Sequence, residues 1–141
     1  MTLAFRPSAP TDGYAIDCRQ AVIQAYARSV ATVLTVRGRV DALNDECVYR
    51  NLNRFRRLDT ALIVDITEAD VANLGALLRF AVGGQGRAMA IVARPEDTAA
   101  MRHSGGADAE IYGTVADAVQ VVVREIQARR DPRSLPLLRL A

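Results

Sequence analysis

Residues 60–66 read Thr-Ala-Leu-Ile-Val-Asp-Ile, an apolar run almost without a polar break. A strand with one solvated face alternates apolar and polar side chains, whereas a strand covered on both faces does not. The run therefore predicts a central strand. A second such run, Met89-Ala90-Ile91-Val92, lies within 87–93. Between them the spacing of Leu74, Leu77, Leu78 and Ala81 predicts a helix over about 73–82, closed by Gly83-Gly84-Gln85-Gly86.

The same alternation extends in both directions. Residues 21–27 read as a strand, and Thr-Val-Leu-Thr-Val-Arg over 32–37 is the clearest period-2 segment, so the two should form a hairpin turning at Arg28-Ser29. Gly38 is expected to break the second strand. Asn44 or Asp45 then caps a helix to about residue 57, with Val48, Leu52 and Phe55 on one face and Arg50, Arg54 and Arg57 on a solvated one. Pro95 opens a short helix that stops at Gly105-Gly106, and 109–112 form a short strand. Thr114-Val-Ala-Asp117 is similar to a capping box, followed by Val115, Val119, Val122 and Ile126 on one helical face. The expected architecture is α/β, a mixed, mostly parallel sheet of about five strands with four helices, in the order β-β-α-β-α-β-α-β-α.

A chain of 141 residues suits one domain, here 14–128, between tails at 1–13 and 129–141. The apolar end of the second tail, Leu135-Pro-Leu-Leu-Arg-Leu140, is expected to pack back or to pair two chains, which makes a homodimer plausible. A net charge of +2, no Trp and few aromatics give no reason to expect nucleic-acid binding. All 18 basic residues are Arg, which reflects either GC-rich codon usage or an interface rich in bidentate ion pairs. Two cysteines are too few for a disulfide scaffold, and Cys47 reads as a small buried hydrophobe. No segment resembles a membrane span or the apolar core of a signal peptide, so a cytoplasmic location is expected.

Catalytic constellations are missing. The single histidine, His103, falls at a helix end where its partial charge is favourable, and neither it nor the cysteines show metal-ligand spacing. The Gly83–Gly86 segment closes a helix instead of opening one, so it exposes carbonyls where a phosphate loop needs N–H groups. Asp65, Glu68 and Asp70 crowd the carboxyl end of the central strand, where α/β proteins place ligands, and three carboxylates could hold Mg²⁺. Without a phosphate cradle or Lys beside them, a solvated loop is the preferred reading. No catalytic residue, cofactor or metal is expected.

The arrangement resembles the STAS domain, the family of anti-sigma-factor antagonists and of the cytoplasmic tails of sulfate transporters. The resemblance covers about 20–128. It is carried by Thr35-Val-Arg-Gly-Arg-Val-Asp41, Ala61-Leu-Ile-Val-Asp-Ile66, Met101-Arg-His-Ser-Gly105 and Ile111-Tyr-Gly-Thr-Val-Ala-Asp-Ala-Val119, in that order and spacing. It implies a bacterial regulator of transcription that works by partner switching. Such antagonists carry Asp-Ser-Ser-Gly just before the second helix, and a partner kinase, itself the anti-sigma factor, phosphorylates the first Ser. The added charge and bulk release the antagonist. Ungapped from Asp65, that motif falls on Asn73-Leu74-Gly75-Ala76, with Leu74 at the Ser position. A three-residue deletion puts it on Asp70-Val71-Ala72-Asn73 instead. Neither alignment offers a hydroxyl, because 68–97 contain no Ser, Thr or Tyr.

The resemblance implies a protein partner, such as a histidine-kinase-like anti-sigma factor, bound constitutively or under another signal. Two alternatives are a subunit of a larger assembly (a transporter ATPase or stress complex) and a sensor whose loop, with Asp65, Glu68 and Asp70, takes a nucleotide or small anion. Partner-binding candidates by position are Asp41, Asn44, Asn73, Leu74, Gly75 and Arg79. Leu74 is either an exposed apolar anchor or turned inward against Leu77 and Leu78.

Overall fold

The computed structural model describes residues 14–58, 60–82, 89–104 and 110–130. Its sheet has six strands in sequential order: β1 (Tyr14–Cys18), β2 (Ala21–Arg28), β3 (Ala31–Val40), β4 (Ala61–Val71), β5 (Met89–Val92) and β6 (Ile111–Tyr112). The helices are α1 (Asp45–Arg54), continued by a 3-10 turn at Phe55–Arg57, α2 (Gly75–Val82), α3 (Pro95–His103) and α4 (Val115–Arg130). β1, β2 and β3 form an antiparallel meander, and β3 through β6 pair in parallel. The expected mixed, mostly parallel sheet is present, with one strand more than expected. Residues 1–13 and 131–141 of the two expected tails and the glycine-bearing segments at 83–88 and 105–109 lie outside the described residues, while 129–130, expected in the second tail, end α4.

The central strand is covered on both faces, as its composition requires. Leu62, Val64 and Ile66 face one core with Leu34, Val36, Ile91, Val48, Leu52, Leu77, Phe80 and Met101, which puts α1, α2 and α3 on that side. Ala61 and Ile63 face a smaller core with Val33, Ala90, Val92, Ala118 and Val122, covered by α4. Val48, Leu52 and Phe55 are buried, and Arg50, Arg54 and Arg57 are exposed, as the helical spacing predicts. Val115, Val119 and Ile126 pack at the edge of the α4 core, and the Asp117 N–H donates to Thr114 Oγ1 at 3.1 Å.

Four expectations need correction. β1 lies in a stretch where no strand is expected; it pairs with β2 across a two-residue turn at Arg19-Gln20. The β2–β3 turn is Ser29-Val30, one residue beyond the expected Arg28-Ser29. Gly38 does not end β3: it stays in the strand with φ +92° opposite Ala21, and pairing with β4 continues to Val40. The loop expected after Ile66 is largely strand, since β4 runs on to Val71 beyond a register shift opposite Thr35–Arg37.

Candidate functional site

Parallel strands leave a cleft region beyond their carboxyl ends, and here β3 and β4 project past the shorter β5 and β6. Two surfaces result. One is formed by the loop from β3 into α1 and the loop from β4 into α2. The other lies where β5 and β6 stop.

The first surface is tied together by side chains that bond the backbone. The Asp41 N–H donates to Asn44 Oδ1 at 2.9 Å, while Asn44 Nδ2 donates to the carbonyls of Cys18 (3.0 Å) and Arg39 (2.8 Å). Asn44 occupies the N-cap position, yet its buried side chain makes no capping bond to α1. Its amide is spent on joining the ends of β1 and β3. Asp41 Oδ1 accepts from the Leu43 N–H at 2.9 Å, and this turn leaves Leu43 75% exposed. Nearby, the N–H groups of Ala72 and Asn73 donate to the Val40 carbonyl, and Asn73 Oδ1 accepts from the Gly75 N–H at 2.8 Å.

These bonds bring the starts of α1 and α2 together. A Cβ on Gly75 would lie 3.2 Å from Asp45 Oδ2 and 3.0 Å from Asn73 Oδ1, so the carboxylate stands beside the positive end of α2. Arg79 binds α2 to α1: its guanidinium donates to Glu46 at 2.8 Å and lies 3.9 Å over the Tyr49 ring. The hydrogen bond to Arg79 lowers the pKa of Glu46, and the same bond raises that of Arg79. Further along the helices, Arg56 lies 4.1 Å over the Phe80 ring and donates to the Phe80 carbonyl.

Four of the six partner-binding candidates (Asp41, Asn44, Asn73 and Gly75) are thus bonded around the end of β3, and Arg79 ties α2 to α1 through Glu46. Asn44 is buried, however, and offers its side chain to no partner. Leu74 sits immediately before α2, half-buried and packed against the larger core. The exposed leucine of this surface is Leu43. Its exposure could not be read from the sequence, because a leucine one residue before the N-cap looks the same whether it turns in or out. Asp45, Glu46 and Tyr49 were likewise not singled out, and only the acidic first turn of α1 hinted at them.

The three carboxylates of β4 separate. Glu68 pairs with Arg37 at 3.2 Å and Asp70 with Arg39 at 2.9 Å, across the extended β3–β4 ladder. Asp65 is buried and accepts from the Thr67 N–H (2.9 Å) and hydroxyl (2.7 Å). Among the described residues no group of three or more His, Cys, Asp or Glu stands close enough to hold a metal.

The second surface is a mostly apolar cleft of about 920 Å³, reaching from Asp65 and Thr67 past Val92 to the starts of α3 and α4 at Pro95 and Thr114. Arg94 stands at its side, donating to Asp97 Oδ2 and to the Ala69 carbonyl, and so pins α3 to the extended end of β4. His103 closes α3 and is exposed.

No protein-family model matches the sequence. Over 54 residues, 38% of this chain, it is 37% identical to osmosensory protein A of Mycobacterium tuberculosis; that stretch spans 34% of the relative's length, so the likeness covers about a third of it. In three dimensions the chain is similar to an anti-sigma factor antagonist from Mycobacterium paratuberculosis, with a TM-score of 0.63 and 20% identity, covering 72% of this chain and 93% of that one. Among the described residues no helix is long and apolar enough to cross a membrane. The fold is that of an anti-sigma factor antagonist.

Proposed function

We propose that this protein is a non-catalytic regulator that binds another protein through the surface where α1 and α2 begin. The supporting observation is the junction at the starts of α1 and α2, where Asp41 and Asn73 tie down the two loops, Asp45 stands against Gly75, Arg79 pairs with Glu46, and the β3–α1 loop leaves Leu43 exposed. A rigid platform with one exposed apolar side chain suits an interface anchor. An isolated exposed leucine carries no such meaning, and here its position gives it weight.

The residue before α2 is Leu74, and 68–97 have no hydroxyl to accept a phosphoryl group. Phosphorylation at the start of α2 is therefore not the control, and the partner, of the anti-sigma-factor type, is bound constitutively or under a different signal. The stretch shared with a protein named for osmosensing favours a stress signal and a bacterial setting. The test is affinity purification from the source cell with mass spectrometry, alongside thermal melts with nucleotides. Recovery of an ATPase-type regulator that binds the purified chain directly supports the reading. A nucleotide-induced rise in Tm without any direct protein binder overturns it in favour of a ligand sensor.

A further inference from the structure

The sequence holds two cysteines, and the fold places them side by side. Cys18 ends β1 and is fully buried; Cys47 lies on α1 and is half-buried. Both are free thiols, with Cys47 Sγ 2.9 Å from Cys18 Sγ, although 29 residues separate them in the chain. A disulfide bond is about 2.05 Å long, so closure needs less than about 1 Å of further approach. Asn51, one helical turn beyond Cys47, donates to the Cys47 carbonyl at 2.8 Å and points Nδ2 at both sulfurs, at 3.4 and 3.5 Å. A donor in that position stabilises negative charge developing on sulfur.

We propose that Cys18 and Cys47 form an oxidation site, a dithiol that a peroxide converts to an intrachain disulfide fastening edge strand β1 to helix α1. Cys47, the more exposed sulfur, attacks as thiolate. The O–O bond breaks, one oxygen stays on Cys47 as a sulfenic acid, and the other leaves as water with the thiol proton. The Cys18 sulfur then attacks that sulfur. The S–S bond forms, the S–O bond breaks, and the hydroxyl departs as a second water with the Cys18 proton. The two thiols lose two electrons and two protons, and the peroxide gains them.

The link would act beside the junction described above. Asn44, three residues before Cys47, already bonds the Cys18 carbonyl to the end of β3. Oxidation makes covalent a connection that in the reduced protein depends on that amide and the β1–β2 ladder. The chemistry does not depend on the identity of any partner.

The test exposes the full-length reduced protein to hydrogen peroxide. It then counts thiols after denaturing alkylation, maps peptides and follows amide exchange over β1. The expected result is joint loss of both thiols, a mass lower by two hydrogen atoms, a linked pair of peptides containing Cys18 and Cys47, and slower exchange in β1, all reversed by dithiothreitol. Cys47→Ser should abolish the mass loss while keeping a cooperative melt. Retention of both thiols, oxidation of Cys47 to a sulfinic acid, crosslinks between chains, or unchanged β1 exchange would each overturn the proposal.

Discussion

Gly38 and Cys18 show how single residues set this fold. A Cβ at Gly38 would stand 2.2 Å from the Gln20 carbonyl oxygen, and φ +92° is a conformation that L side chains rarely adopt. Gly38→Ala should therefore cost at least about 2 kcal/mol, read as a lower urea midpoint; an unchanged midpoint would show that the backbone relaxes freely. The glycine was legible as a special position, but its role was not. Close approach of the β1–β2 turn is a tertiary fact, so the residue read as a strand end. Cys18 carries a different signature: burial first, then the neighbouring Cys47, push its thiol from 9.0 up to about 12. A raised folded-state value means that the unfolded chain loses its proton first. Stability from this group is intact below pH 9 and falls as pH rises from 9 towards 12, with a slope near 1.4 kcal/mol per pH unit. The slope is measured as the difference in alkaline unfolding between wild type and Cys18→Ala under reducing conditions. Equal slopes would refute it.

At the scale of elements, the strongly apolar or strongly periodic segments were readable and the weak strands were not. β4 as far as Ile66, β5 and the core face of α1 follow directly from burial on two faces or one. β1 is a five-residue edge strand, too short for a pattern to stand out. The extension of β4, Thr-Glu-Ala-Asp-Val, does alternate, with Ala69 buried between exposed Glu68 and Asp70. Acidic side chains disfavour strands, which is why it read as a loop. Arg37 and Arg39 on β3 offset that preference from across the ladder. Arg39→Glu would place like charges opposite Asp70 and beside Asp41. A loss of about 1 kcal/mol or less is expected at low ionic strength, shrinking in high salt; a salt-independent change would mean that packing dominates. The β2–β3 turn makes the opposite prediction. Ser29 sits at φ 58°, a region where glycine is favoured. Ser29→Gly should raise stability by about 0.5–1 kcal/mol, and a lower Tm would contradict this.

For the whole molecule, a six-stranded sheet is covered by α1, α2 and α3 on one face and α4 on the other, and the proposed partner surface lies beyond the carboxyl ends of β3 and β4. The alternation of strand and helix patterns implied this architecture, and both the family resemblance and the likeness in three dimensions agree with it. The candidate surface was legible only in outline. Position along the chain selected the loops before α1 and α2, but side-chain direction decided their content: Leu74 packs against the core, Asn44 is consumed by backbone bonds, and Leu43 faces solvent. The most direct measurement is the affinity of wild type and Leu43→Asp for the protein partner recovered from the source cell, with thermal melts of both. Affinity should fall by at least about 30-fold, equivalent to ~2 kcal/mol, with the Tm almost unchanged. Equal affinity in a folded Leu43→Asp variant would contradict it and place the interface elsewhere.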